Sequence, residues 1–374
     1  MERRGIFHIG WLVLAIVPLV LLAIVGPYVT DYRRAIELQT QVAAVGGSVQ
    51  FDLNCPSWLA RLAYRLGGEP ALSLLRTRAV GVSVAWAPVD DQWLKHLAGH
   101  PDIETLRLSG TQITDTGLIA LGPLPALRAL DISQTNVRGP GLSMLQHCPA
   151  IEHLCCDECA LETGAFKHMP PLTALKRLDL RGTPMTTDDC RYLGGVPQLQ
   201  SLNLSKTQVD DAFIDFIPST SRLEELDLGD TSVTDHLVMK LPRFTELRAI
   251  DLSQTRITDF GVRAMGALSG LDTLRLRATS ISDQGTGSFD GLRALRLLDL
   301  SETGISDLTM FRVLRLSLHS CDLSGTKISD EGLTMLNDVP DYRLELYVAN
   351  TGITGAAIRK AATTHPQWRI KKKR

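Results

Sequence analysis

Leu106-Arg107-Leu108-Ser109-Gly110-Thr111-Gln112-Ile113-Thr114-Asp115-Thr116-Gly117-Leu118 packs two periodicities into one short stretch. Leu106 and Leu108, two apart, belong on one face of a short strand. From Ile113 the spacing lengthens, with Leu118, Leu121 and Leu124 three apart, which predicts a short helix whose amides are capped by Thr114 or Asp115. Strand, turn, helix and turn fit in 24 residues, because the same phrase returns at that interval along most of the chain.

The threonines mark the lattice: Thr111, Thr135, Thr183, Thr207, Thr231, Thr255, Thr279 and Thr303 stand on it, with Cys159 at the skipped node. Thr326 and Thr351 continue it after a one-residue deletion and insertion, and Ala87 precedes it, for twelve units. Three apolar columns confirm the register, running from Val82 to Leu346, from Val84 to Val348 and from Val89 to Ile353. Asp occupies the expected cap position in eight units, as Asp91, Asp115, Asp211, Asp235, Asp259, Asp283, Asp307 and Asp330. A single unit buries too little apolar surface to offset the entropy of ordering its backbone, so the units must stack.

This pattern, Leu-x-x-Leu-x-Leu-x-x-Thr-x-Ile-Thr-Asp-x-Gly-Leu, resembles the leucine-rich repeat, with Thr where Asn or Cys often stands. Its Ile-Thr-Asp-x-Gly-Leu phrase is similar to the cysteine-containing subclass of F-box substrate adaptors. The resemblance covers residues 82 to about 370. It implies an α/β solenoid, a leucine-rich-repeat horseshoe of about twelve 24-residue units with a parallel concave sheet and short convex helices. The motif is specific for fold and weakly so for function.

Outside the repeats, Ile6 to Val25 is a run of 20 residues with no acidic residue and no Lys or Arg. As a helix it spans about 30 Å, the thickness of a bilayer core. Trp11 at one end and Tyr28 and Tyr32 at the other have the character of interfacial anchors. Glu2-Arg3-Arg4 resembles a signal-peptide n-region, but the apolar run exceeds the usual 7 to 15 residues, which favours an uncleaved transmembrane anchor. Arg3 and Arg4 are balanced by Arg33 and Arg34, so the flanking charges leave orientation open. The expected domains are an anchor at 1–30, an N-terminal cap at 31–81 and a repeat domain at 82–374 that ends in its own cap and a basic tail, Lys371 to Arg374. Within the caps, 31–45 predicts a helix, Ser48 to Leu53 a strand, Pro56 to Leu66 a helix, Ala356 to Ala362 a helix and Trp368 to Ile370 a closing strand. The anchor, followed by Ala44 to Asp52 and Trp58-Leu59, is similar to anchored repeat proteins of planctomycete-type bacteria.

The net charge of -2, from 39 basic and 41 acidic residues, provides no general field for nucleic acid. Seven cysteines form no evenly spaced framework. His153-Leu154-Cys155-Cys156-Asp157-Glu158-Cys159, after His147 and Cys148, has the residue types of a zinc site. The lattice places Cys148, Cys156 and Cys159 in core columns, as it does Cys190 and Cys321, so only His153 and Cys155 face outward and no metal is expected. No phosphate-cradling glycine loop, nucleophile elbow or His-Glu-x-x-His phrase is present, so neither catalysis nor a cofactor is expected.

The position between the two strand leucines faces the concave side. It is Asp in half of the units, and flanking positions add charge of both signs. The candidate partner-binding residues are Arg107, Asp131, Arg177, Asp179, Arg181, Glu225, Asp227, Asp251, Arg275, Arg277, Asp299, Asp322 and Tyr347. Strands about 4.8 Å apart would display them on a ribbon roughly 50 Å long, suited to an extended protein or peptide. The expected function is a membrane-tethered receptor or scaffold module, its repeats outside the cytoplasm, with no nucleic-acid partner. A cytoplasmic F-box-like adaptor is the alternative, against which residues 31–78 are too short and wrongly patterned for a three-helix F-box.

Overall fold

The computed structural model describes residues 30–53, 57, 60, 61, 64, 65, 78–218, 221–335 and 342–372. A single sheet organises them, its fourteen strands lying side by side in chain order. They are β1 Ser48–Asp52, β2 Arg78–Ser83, β3 Thr105–Arg107, β4 Ala129–Asp131, β5 His153–Cys155, β6 Arg177–Asp179, β7 Ser201–Asn203, β8 Glu225–Asp227, β9 Ala249–Asp251, β10 Thr273–Arg275, β11 Leu297–Asp299, β12 Ser320–Asp322, β13 Leu344–Tyr347 and β14 Trp368–Lys371. All neighbours pair in parallel except β1 and β2. The register matches lattice positions to each other, Leu106 with Leu130 and Asp227 with Asp251. All three apolar columns are buried in one continuous core. Short α or 3-10 helices return each unit to the next strand, as at Asp115–Ala120, Thr187–Gly195 and Asp259–Met265.

The threonine column closes the turn after each strand. Each hydroxyl donates to the carbonyl three residues back, as Thr111 does to Leu108 and Thr279 to Leu276, both at 2.6 Å. Cys159 substitutes by donating from Sγ to the Ile132 carbonyl of the preceding unit at 2.9 Å. The residue before this column has positive φ in every unit, and only Gly110, Gly182 and Gly325 are glycine there. Trp86, Ala278 and the others adopt the left-handed conformation despite their Cβ.

The aspartates expected to cap their own helices do something else. The preceding Thr or Ser is the cap: Thr114 accepts the Thr116 amide and Thr258 the Phe260 amide. The Asp carboxylate reaches into the next unit, where both atoms of that unit's capping residue donate to it. Thr258 donates from its amide to Asp235 Oδ1 at 2.8 Å and from its hydroxyl to Oδ2 at 2.6 Å. The same two bonds join Asp91 to Thr114, Asp211 to Thr234, Asp259 to Ser282, Asp283 to Ser306, Asp307 to Ser329 and Asp330 to Thr354. Asp115 instead takes the amides of Arg138, Gly139 and Gly141. The Gly of Asp-x-Gly makes room for this carboxylate: a Cβ on Gly117 or Gly261 would collide with Oδ1 of Asp91 or Asp235. At the equivalent place Thr309 donates to Asp283 Oδ1 at 2.6 Å. Burial alone would raise the Asp283 carboxyl, but the bonds from Ser306 and Thr309 outweigh it and hold it below the ordinary range.

Both ends are capped. Helix 30–44 buries Leu38 and Val42 on the first unit, and β1 runs antiparallel along the outer edge of β2. Of the second predicted cap helix, residues 57, 60, 61, 64 and 65 are helical. At the other end the helix Gly355–Thr364 precedes β14, and Trp368 stacks on His365 with centroids 4.1 Å apart. Lys371, expected in a solvated tail, is part of β14 and donates to Glu345 Oε2 at 3.0 Å and to the Tyr347 hydroxyl at 3.1 Å. The apolar run 6–25 lies outside the described residues, and no helix among those residues is long and apolar enough to cross a membrane.

Candidate partner-binding surface

Alternation along three-residue strands turns the middle side chain into the core and leaves the flanking two on the concave face. From β3 to β10 these outward residues line a continuous open trough of about 700 Å³. Eight of the predicted residues lie in it: Arg107, Asp131, Arg177, Asp179, Glu225, Asp227, Asp251 and Arg275. Arg277 and Asp299 border a neighbouring depression that shares Asp227, Asp251 and Arg275. The remaining three are separate. Arg181 pairs with Asp157 and Glu158, each at 3.4 Å. Asp322 is buried at 8% exposure, and Tyr347 is covered by Lys371, whose Nζ lies 4.8 Å from its ring centre.

The column of concave aspartates has a structural origin that strand alternation alone does not reveal. One oxygen of each accepts the backbone amide two residues on: Ser133 donates to Asp131 at 3.0 Å, Gly229 to Asp227 at 2.9 Å and Ser253 to Asp251 at 2.9 Å. Asn203 accepts from Ser205 in the same way at 3.0 Å. These side chains therefore terminate strands by forming Asx turns and are half-buried. Burial pushes the Asp227 carboxyl up, and the charge of Asp251 on the next strand adds to the shift. Arg275 approaches Asp251 at 3.8 Å.

The exposed charges are Arg107, Arg177, Glu225 and Arg275. Among the described residues Arg107 and Arg177 form no ion pair, while Glu225 accepts a bond from Ser201 Oγ at 2.9 Å. The trough therefore carries available basic groups on its β3–β6 side and carboxylates around β8 and β9. Thr105, Ala129, His153, Cys155, Ser201, Asn203, Ala249 and Thr273 fill the other outward positions of the lining. The lattice marks His153 and Cys155 as outward in the sequence itself, whereas Thr105, Ala129, Ser201, Ala249 and Thr273 carry no charge or motif by which sequence would single them out.

His153 and Cys155 do face the trough together. Burial, then the charge of Arg177, lowers the His153 imidazole, while burial raises the Cys155 thiol, whose Sγ lies 3.0 Å from Ser133 Oγ. Cys148, Cys156, Cys159, Cys190 and Cys321 are buried. Among the described residues, no three His, Cys, Asp or Glu side chains converge as metal ligands would.

The comparisons with known proteins agree with this architecture. A model of the leucine-rich-repeat family matches residues 245–305, and a second leucine-rich-repeat model matches 99–122 and 312–336. This chain is a leucine-rich-repeat protein. Among solved structures, the internalin InlF of Listeria monocytogenes is similar with a TM-score of 0.54 and 18% identity, over 84% of this chain and 94% of that one. Internalin C2 of the same organism gives 0.42 and 20%, over 56% and 82%. The octameric complex of Latrophilin 3, Unc5D and the leucine-rich-repeat protein FLRT2 gives 0.48 and 14%, over 74% and 83%. At 18% identity the likeness to InlF is one of fold. No curated protein sequence matches the chain. Leucine-rich-repeat folds generally mediate protein-protein interaction.

Proposed function

We propose that this protein is a membrane-tethered binding module, a receptor or scaffold, that holds a protein or peptide along its concave trough while residues 6–25 anchor it, with the repeats outside the cytoplasm. The observation that carries the binding reading is the trough itself: it is continuous over eight strands, open to solvent and edged by Arg107 and Arg177, which lack ion-pair partners among the described residues. A rigid parallel ribbon suits an extended segment, whose ordering cost is lowest on a preformed surface. The tether is supported by the length and composition of the apolar run.

Affinity capture from the native membrane, using the chain and an Arg177→Glu, Arg275→Glu variant, tests the binding reading. These arginines are exposed and support no backbone turn, so the exchange leaves the fold intact. The expected result is a specific partner retained by the native chain and lost by the variant. Equal retention would remove the trough from the account. Sedimentation of the full chain with carbonate-washed membranes, and loss of it on deleting residues 1–29, tests the tether separately.

A further inference from the structure

A second depression lies between the N-terminal cap and the first unit and shares no lining residue with the trough. Helix 30–44 and the 3-10 helix Trp93–Leu97 of the first unit, with the turn that follows it, line a cavity of about 320 Å³. Arg34, Glu37 and Gln41 line it from the helix, at the spacing of one helical face. Lys95, His96 and His100 line it from the repeat. Among the described residues Arg34, Lys95 and Glu37 form no ion pair, so two fixed positive charges and one negative meet there with two imidazoles. His100 is half-buried, and burial, then the charge of Arg34, holds its imidazole below the ordinary range.

We infer that this cavity is a phosphomonoester-binding site, in which Arg34 and Lys95 take the oxyanion and His96, His100 and Gln41 donate to its remaining oxygens. A guanidinium fork matches phosphate oxygens, and an ammonium provides a second charge from another direction. The basic groups come from two elements that only folding brings together, so the arrangement is more than a run of like charge. Two sources share this chemistry, a free phosphate ester and the headgroup of an acidic lipid. Arg34 is nine residues beyond Val25, where the apolar run ends; that length of chain reaches roughly 30 Å at most. Only the lipid source rests on the tethering proposal.

The test is 31P NMR of inorganic phosphate titrated into the full chain held in phosphatidylcholine nanodiscs. Saturable line broadening is expected, weakened at least tenfold by Arg34→Gln, Lys95→Gln and unchanged by Arg293→Gln, an exposed arginine elsewhere. Matching circular dichroism spectra establish that the variants are folded. Absence of broadening by the native chain, or equal broadening by native and Arg34→Gln, Lys95→Gln chains, overturns the site. Repeating the titration with phosphatidic acid in the nanodiscs separates the sources: competition that abolishes the phosphate signal assigns the headgroup, and an undiminished signal assigns free phosphate. A chain that fails to enter nanodiscs contradicts the tether alone, and the titration then proceeds in solution.

Discussion

Replacing Asp235 with alanine removes one rung of the inter-unit ladder, and the structure sets what that should do. Two bonds from Thr258 are lost, at 2.8 and 2.6 Å, both to a carboxylate. Hydrogen bonds to charged groups contribute about 1.5–3 kcal/mol each, and water replaces part of this at a half-buried site, so the expected loss is about 2–3 kcal/mol. Gly261 supplies the sharper form of the experiment. Its added Cβ would collide with Asp235 Oδ1, and the next atom it would meet is Asp235 Cγ at 3.1 Å. Gly261→Ala alone should therefore cost about 1–3 kcal/mol through overpacking. In the Asp235→Ala background those two atoms are gone and only the Asp235 Cα, at 3.3 Å, stays close. The same change should then be nearly neutral, the helix gain of about 0.4–1 kcal/mol offsetting the residual crowding. Urea unfolding of residues 30–374 by circular dichroism measures all four corners of the cycle. Hydrogen exchange at helix Asp259–Met265 localises the effect, because a repeat array need not unfold in one step. A Gly261→Ala cost that is the same in both backgrounds refutes the ladder as the reason for the glycine.

Other consequences follow from single positions. Asp227→Asn keeps the Gly229 bond, as Asn203 keeps its own to Ser205, and removes a charge that burial and Asp251 disfavour. Because the folded carboxyl is raised, this variant should be the more stable at neutral pH, by an advantage that shrinks as pH falls through the carboxylate range; urea midpoints at several pH values measure it. Asp283 is the opposite case. Its folded carboxyl is depressed, so its stabilisation relative to Asp283→Asn is full above the unfolded value near pH 3.9 and disappears as pH falls through the folded one. Ala278→Gly relieves a left-handed residue at φ 53° and should raise stability by roughly 1 kcal/mol in the same unfolding assay.

The lattice was legible because period and burial coincide: each residue of the three apolar columns, from Val82 to Ile353, is in the core. Both caps were legible where their patterns were local, as in β1 and in Trp368 to Ile370. The role of the ladder aspartates was not, since an Asp at a helix start satisfies the local capping rule equally well while its actual partner lies 23 residues on. The left-handed position was hidden for a related reason: glycine marks it in only three units, and tertiary packing imposes it on Trp86 and Ala278. On the concave face alternation placed Arg107, Asp131, Arg177, Asp179, Glu225, Asp227, Asp251 and Arg275 in one trough but did not show that Asp322 is buried. It did not reveal that Asp131, Asp227 and Asp251 are partly committed to Asx turns, nor that β14 brings Lys371 onto Tyr347.

The most direct test of the concave face as the working surface is site-specific photo-crosslinking in the native membrane. A photoreactive side chain at Ala249, in the floor of the trough, is compared with one at Gln284, exposed on a connecting segment of the convex side. The account predicts a discrete adduct from position 249 that disappears when Arg177→Glu and Arg275→Glu are added, and none from position 284. A discrete adduct from position 284 alone, or one from position 249 that survives both charge reversals, would contradict it.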